Sequence, residues 1–255
     1  MSASQLPAHE KLATLALDLA RAGKAVYADV RLVALARESV QVRDRRVERV
    51  SHSDQLGISV RVLQDGAWGF AATWQLDEGS VRKATARALA GAKAGADLRK
   101  RLGAPPIELV AAPAIKGTWV TPHTIDPFSV PIADKAELLL KATAAALAVK
   151  GVGHADASIT AAREDKLLFT SDGTRVHQIA LRIAPDLGAT AVDRRRGRFA
   201  GREHEAPPLQ IGWEYITELE LADAAPKIAA EALQKLHAPT VEPGLRHVVL
   251  APSNL

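Results

Sequence analysis

A zinc-peptidase helix needs two histidines one turn apart with a glutamate beside the first. The sequence holds eight histidines, at positions 9, 52, 123, 154, 177, 204, 237 and 247. Only His204-Glu205 begins such a motif, and Ala206-Pro207-Pro208-Leu209 follows it. Two prolines cannot continue a ligand-bearing helix. His204 therefore reads as a solvated loop histidine, and no metal ligand is expected in this chain. For nucleophilic chemistry there is no cysteine and no Gly-x-Ser-x-Gly elbow. Ser253-Asn254 reads as a turn. Gly151-Val152-Gly153 reads as a helix stop, since no phosphate-binding glycine motif surrounds it. No catalytic residue is expected, and no substrate-binding residue is assigned.

Charge offers the other chemistry. Arg194-Arg195-Arg196, with Arg198 and Arg202, is the densest cluster. It could clamp an acidic partner, but no aromatic run interleaves with it, so it reads as a solvated loop and nucleic acid is not an expected partner. Arg43, Arg45 and Arg46 read as an exposed hairpin turn. The 33 basic and 29 acidic residues leave a net charge of only +4, a weak footprint for a polyanion. Hydrophobic residues at 47% and charged residues at 24% are ordinary globular values. The absence of cysteine fits a reducing compartment. The start MSASQLPAHEK lacks a charged-then-apolar leader pattern, and no apolar run approaches the roughly 20 residues of a membrane helix. A cytoplasmic location with no membrane contact is the expectation.

The elements that would position any site centre on residues 56–74. Leu56, Ile58, Val60 and Val62 alternate with Gly57, Ser59 and Arg61, the period of a half-buried strand. Gln64-Asp65-Gly66 breaks the run, and Trp68, Phe70, Ala72 and Trp74 alternate on the return, which predicts a hairpin. Gly69 lies where a missing side chain lets another backbone come close. Upstream, residues 7–22 read as an amphipathic helix and 27–35 as a strand. Residues 39–50 read as two short strands about Arg43-Asp44-Arg45-Arg46. Downstream, Asp77 caps a helix whose inner side is Val81, Ala84, Ala88 and Ala92.

Six prolines between 103 and 131 predict an extended connector, with Trp119 and Phe128 as anchors on a neighbouring surface. A third helix is predicted over 132–147, with Ile132, Ala136, Leu139, Leu140 and Thr143 inward. Strands follow at 155–161, 167–170 and 175–183, with turns at Glu164-Asp165 and Asp172-Gly173. Residues 188–210 read as a long loop, and 221–236 as a fourth helix. Residues 245–250 read as a strand without a partner and with an exposed apolar face. The expected fold is α+β, with antiparallel sheets and hairpins packed against a few amphipathic helices in two similar layers. Such a sheet can take an extended peptide as an added strand.

The ordered set of segments at 38–54, 57–78 (GISVRVLQDGAWGFAATWQLDE), 126–139, 163–178, 212–216 and 247–255 resembles the TldD/PmbA metallopeptidase family over nearly the whole chain. The resemblance implies intracellular proteolysis of unfolded or modified peptides at a zinc ion held by a His-Glu-x-x-x-His motif. The family's motif would follow a Pro-Ser-Asn-Leu like that at 252–255, where this sequence ends. The expected organisation is one TldD/PmbA-like domain over 1–112, a second over 113–240, and at 241–255 the stub of a metallopeptidase domain. The chain alone is then expected to hold no zinc and to be inactive, serving as the N-terminal region of a TldD-type enzyme. The alternative is a non-catalytic binding or assembly subunit. The partners expected are a peptide substrate and a second subunit, in a homodimer or a heterodimer with a TldD/TldE-like protein.

Overall fold

A computed structural model describes residues 6–251 of the chain, so Ser253-Asn254 lies outside the described residues. After a short 3-10 turn at 6–9, the elements are α1 (Glu10–Ala22), β1 (Tyr27–Arg43), β2 (Arg46–Gln64), β3 (Ala67–Thr73), α2 (Glu78–Arg101) and β4 (Lys116–Val120). Then come α3 (Ile132–Leu147), β5 (Val152–Thr170), β6 (Arg175–Asp193), β7 (Arg198–Glu203), α4 (Glu214–Glu218) and α5 (Leu221–His237). The α+β class is as expected. Strands follow the order β3-β2-β1-β5-β6-β4, and β7 also pairs with β6. No helix among the described residues is long and apolar enough to cross a membrane.

Two compact units divide the chain, and neither is a continuous segment. The first takes Met1–Arg37, Ser53–Thr121 and Ala162–Leu181; the second takes Glu38–His52, Pro122–Ala161 and Arg182–Leu255. The four long strands cause this, because each gives one part of its length to each unit.

In the first unit, α1 and α2 cover one face of the strands. Ala13, Ala16 and Ala20 of α1 and Val81, Ala84 and Ala88 of α2 meet Val30, Leu32, Ile58 and Val60. Burying each such Val, Leu or Ile stabilises the fold by roughly 1.5–3 kcal/mol. Asp77 caps α2 as expected, its Oδ1 accepting the Ser80 N–H at 2.8 Å. The β2–β3 hairpin turns at Asp65-Gly66, with φ of 50° and 70°, the left-handed pair that a two-residue turn matching strand twist demands.

In the second unit, α3 and α5 pack together over Val40, Val42, Ile159 and Leu187. The boundaries of α3 are those predicted, but its inner face is rotated. Lys135, Leu139, Ala142, Thr143 and Ala146 are buried, whereas Ile132 is exposed.

Other local expectations fail for identifiable reasons. The strand at 27–35 and the piece starting at 39 are one strand, β1. Glu164-Asp165 is no turn but lies inside β5, where Asp165 is buried against His177 at 2.7 Å. The polar stretch 188–210 is a loop only from 204 on: before that it completes β6, turns at 194–197 and returns as β7. The connector contains β4, which runs parallel to β6 and leaves Trp119 exposed rather than packed. Residues 245–250 form no strand, and Leu245 and Val249 stand in solvent.

Candidate functional site

The exposed edge of β3 offers the clearest site. Among the described residues β3 pairs only with β2, in the register from Ile58↔Thr73 to Gln64↔Ala67. The pair flanking a two-residue turn is hydrogen-bonded, and bonded pairs then alternate along an antiparallel ladder. The backbone groups of Ala67, Gly69, Ala71 and Thr73 are thus turned to β2. Those of Trp68, Phe70 and Ala72 face away from it. Phe70 is 65% and Trp74 77% exposed, although both are large and apolar.

Where β3 ends, β2 runs on, and the step forms a groove of about 470 Å³. Val33 and Leu35 of β1, Leu56 and Ser59 of β2, and Ala72 and Trp74 line it, with Arg31 at one side. Alternation puts these side chains on the face opposite α1 and α2, except Leu56, which shares the helix-covered face with Ile58 and Val60.

The same strands carry a polar stack. Asp29 is 2% exposed and receives Arg61 at 2.7 Å and Arg31 at 3.4 Å. Arg61 lies over the Trp68 ring at 4.5 Å, and Tyr27 meets that ring edge-on at 5.9 Å. Burial, and then the Asp29 carboxylate, push the Tyr27 hydroxyl above its ordinary pKa. Two arginines thus neutralise the buried carboxylate and fix one wall beside the edge. The other free edges are poorer acceptors. β4 has five residues, and β7 has its Gly201 carbonyl taken by Lys235 at 3.0 Å.

The second unit contains a carboxylate cluster on β5, β6 and β7. Burial, opposed by Arg43 and reinforced by Glu203, raises the pKa of Asp156. Burial, Asp156 and Glu203 raise that of Asp186. A raised carboxylate binds its proton more readily folded than unfolded, so stability declines as pH rises from the ordinary carboxylate range through the folded value. Asp186→Asn is therefore expected to raise the thermal midpoint at pH 7 by roughly 1–2 °C, an effect lost near pH 4. Thermal melts at the two pH values check this.

The histidines do not assemble. His204 follows β7, its backbone N–H bonded to the Leu187 carbonyl and its buried Nδ1 without a partner, while Glu205 pairs with Arg202. His154 is held by Asp44 and His177 by Asp165. Among the described residues no three His, Asp or Glu side chains are placed to hold a metal, so this donor set does not fit a zinc ion.

A family model described as PmbA/TldA metallopeptidase domain 1 matches residues 28–92, and one for the central domain matches 125–238. A metalloprotease of Methanothermobacter thermautotrophicus is 25% identical over 226 residues, covering 89% of this chain and 47% of its own length. A metalloprotease of Synechocystis sp. is 29% identical over 237 residues, covering 90% and 47%. The chain thus spans about half the length of these curated relatives. The crystal structure of TldE from Thermococcus kodakarensis superposes with a TM-score of 0.53 at 16% identity, over 86% of this chain and 46% of that one.

Proposed function

We propose, for a chain that belongs to the PmbA/TldD metallopeptidase family, that it holds extended peptide for a TldD-type cytoplasmic peptidase and leaves bond cleavage to residues outside it. The unpaired β3 edge beside an apolar groove carries this reading. An extended peptide would bond to the backbone of Trp68, Phe70 and Ala72 and drop one side chain into the groove beside Trp74. Backbone bonding is indifferent to sequence, which suits unfolded substrates.

Fluorescence titration with an unstructured peptide tests it. Trp74→Ala is expected to weaken binding by about tenfold or more, as loss of an aromatic anchor does. Ala72→Pro removes one outward N–H, is tolerated on an edge, and should cost about fivefold, the worth of one hydrogen bond. A scrambled peptide should bind comparably. Binding that ignores both substitutions would refute the edge. Steady peptide cleavage by this chain with added zinc would refute the division of labour.

A second reading is a non-catalytic assembly subunit for a TldD/TldE-like partner. The exposure of Leu245, Val248 and Val249 favours it. Co-elution with a longer relative in size exclusion checks it.

A further inference from the structure

The second unit brings together two arginine turns that are far apart in sequence. β1 passes to β2 through Asp44 and Arg45, both in left-handed conformation at φ 48° and 65°. The Asp44 carboxylate accepts the Ala155 N–H at 3.0 Å and pairs with His154 at 2.9 Å, which seats this turn against the start of β5. The Val192 N–H bonds to the Gly151 carbonyl at 3.0 Å, which seats the start of β5 against the end of β6. The β6–β7 turn follows directly and holds Arg194, Arg195 and Arg196, with Arg198 opening β7. Strands lie about 4.8 Å apart, so in the order β2-β1-β5-β6-β7 the two turns stand roughly 14 Å from each other.

Along this rim stand Arg43, Arg45, Arg46, Lys150, Arg194, Arg195, Arg196 and Arg198, all exposed. The rim's own carboxylates are engaged. Asp44 is held as above, and Asp193 accepts the Arg195 and Arg196 N–H groups and pairs with the Arg196 guanidinium at 3.7 Å. None of the other seven cations is in an ion pair among the described residues, although Arg43 lies in the field of Asp44 and Asp156 and Glu48 shares a pocket with Arg43 and Arg46. Beside the β6–β7 turn, a cleft of about 560 Å³ is lined by Lys150, Asp193, Arg194, Arg195 and His237 over Leu233 and Leu236. The nearby C-terminus of α5 offers about half a negative charge, far less than these cations carry. Beside Arg198, the Phe199 ring is 77% exposed.

We infer that this rim binds single-stranded nucleic acid, with phosphates on the arginines and a base stacked on Phe199. Guanidinium groups match phosphate geometry, and an exposed ring beside them is what a base needs and an acidic peptide does not. Asp156, Asp186 and Glu203 stand further along the strands and repel phosphates there, which confines the ligand to a narrow row and disfavours a duplex. The inference does not rest on the peptide reading, and either can fail alone.

The test is anisotropy with a labelled single-stranded oligonucleotide of about 12 nucleotides at 50 and 200 mM salt. Binding in the micromolar range at the lower salt is expected, weakening steeply at the higher. Replacing Arg194, Arg195 and Arg198 together by alanine should weaken binding at least about tenfold and flatten the log–log salt slope by about 2, with the thermal midpoint retained. Phe199→Ala should cost about fivefold without changing the slope. No binding below about 100 µM at low salt would overturn the inference. So would wild-type binding by the triple variant, or poly-glutamate binding as tightly as the oligonucleotide.

Discussion

Gly69→Ala is expected to destabilise the first unit by about 3 kcal/mol or more, beyond the usual range for one added methyl. A Cβ at Gly69 would sit 1.8 Å from the Ala88 carbonyl oxygen and 2.6 Å from the Ala92 nitrogen. Both are backbone atoms of α2, so no rotamer change can relieve the clash. The helix must retreat from β3, and retreat uncovers Val81, Ala84, Ala88 and Ala92 along its whole inner side. The approach is mutual: Gly91 faces the Gly69 Cα, and Gly95 faces Ala67 and the Trp68 carbonyl. Urea denaturation followed by tryptophan fluorescence measures the loss, with Trp68 in the affected strand. Gly117→Ala is the control, because nothing lies within 4 Å of its would-be Cβ. It should change stability by less than about 0.5 kcal/mol. Comparable losses in the two variants would mean that glycine content, not the helix–strand contact, sets the cost.

That contact was legible because its signals are local. Strand alternation, Asp65-Gly66, the bare Gly69 and the Asp77 cap all lie within some 30 residues, and each acts on its neighbours. The failures come from length and from distance. β1, β2, β5 and β6 run 17–19 residues, well beyond the common five or six. A polar residue midway along such a strand looks like a break; Asp165 does, until β6 brings His177 to it. Arginine density hid β7 in the same way, since its pairing with β6 has no hydrophobic period to announce it. The parallel pairing of β4 on β6 joins segments some 60 residues apart, and nothing within 116–120 specifies it. The groove draws on residues 31–35, 55–59 and 72–74, so its residue types could be read singly but not as one surface. The two arginine turns were visible separately, and only strand order sets them on one rim.

Lys135→Ala is expected to cost the second unit about 3–5 kcal/mol, the loss that follows when one partner of a buried ion pair is removed. A lysine in the fourth position of a helix reads as surface. Here its side chain is 2% exposed. Its Nζ donates to Glu38 of β1 and, at 2.6 Å, to the Pro127 carbonyl, and it lies 5.6 Å from the centre of the Trp213 ring. One ammonium thus ties α3 to a strand, to the end of the connector and to the segment before α4. Alanine would leave the Glu38 carboxylate and the Pro127 carbonyl buried without this donor, in addition to a cavity. The thermal midpoint should fall by roughly 10 °C for a chain of this size. Lys135→Met keeps most of the volume, so Lys135→Met combined with Glu38→Gln removes both charges without emptying the site. The double variant is expected to recover much of the loss, with a coupling of about 1–3 kcal/mol between the two positions. Additive losses in that cycle would show that Lys135 acts through packing on Trp213 rather than through Glu38. A Lys135→Ala protein within about 1 kcal/mol of wild type would show that water reaches Glu38 and that the pair does not hold these segments together.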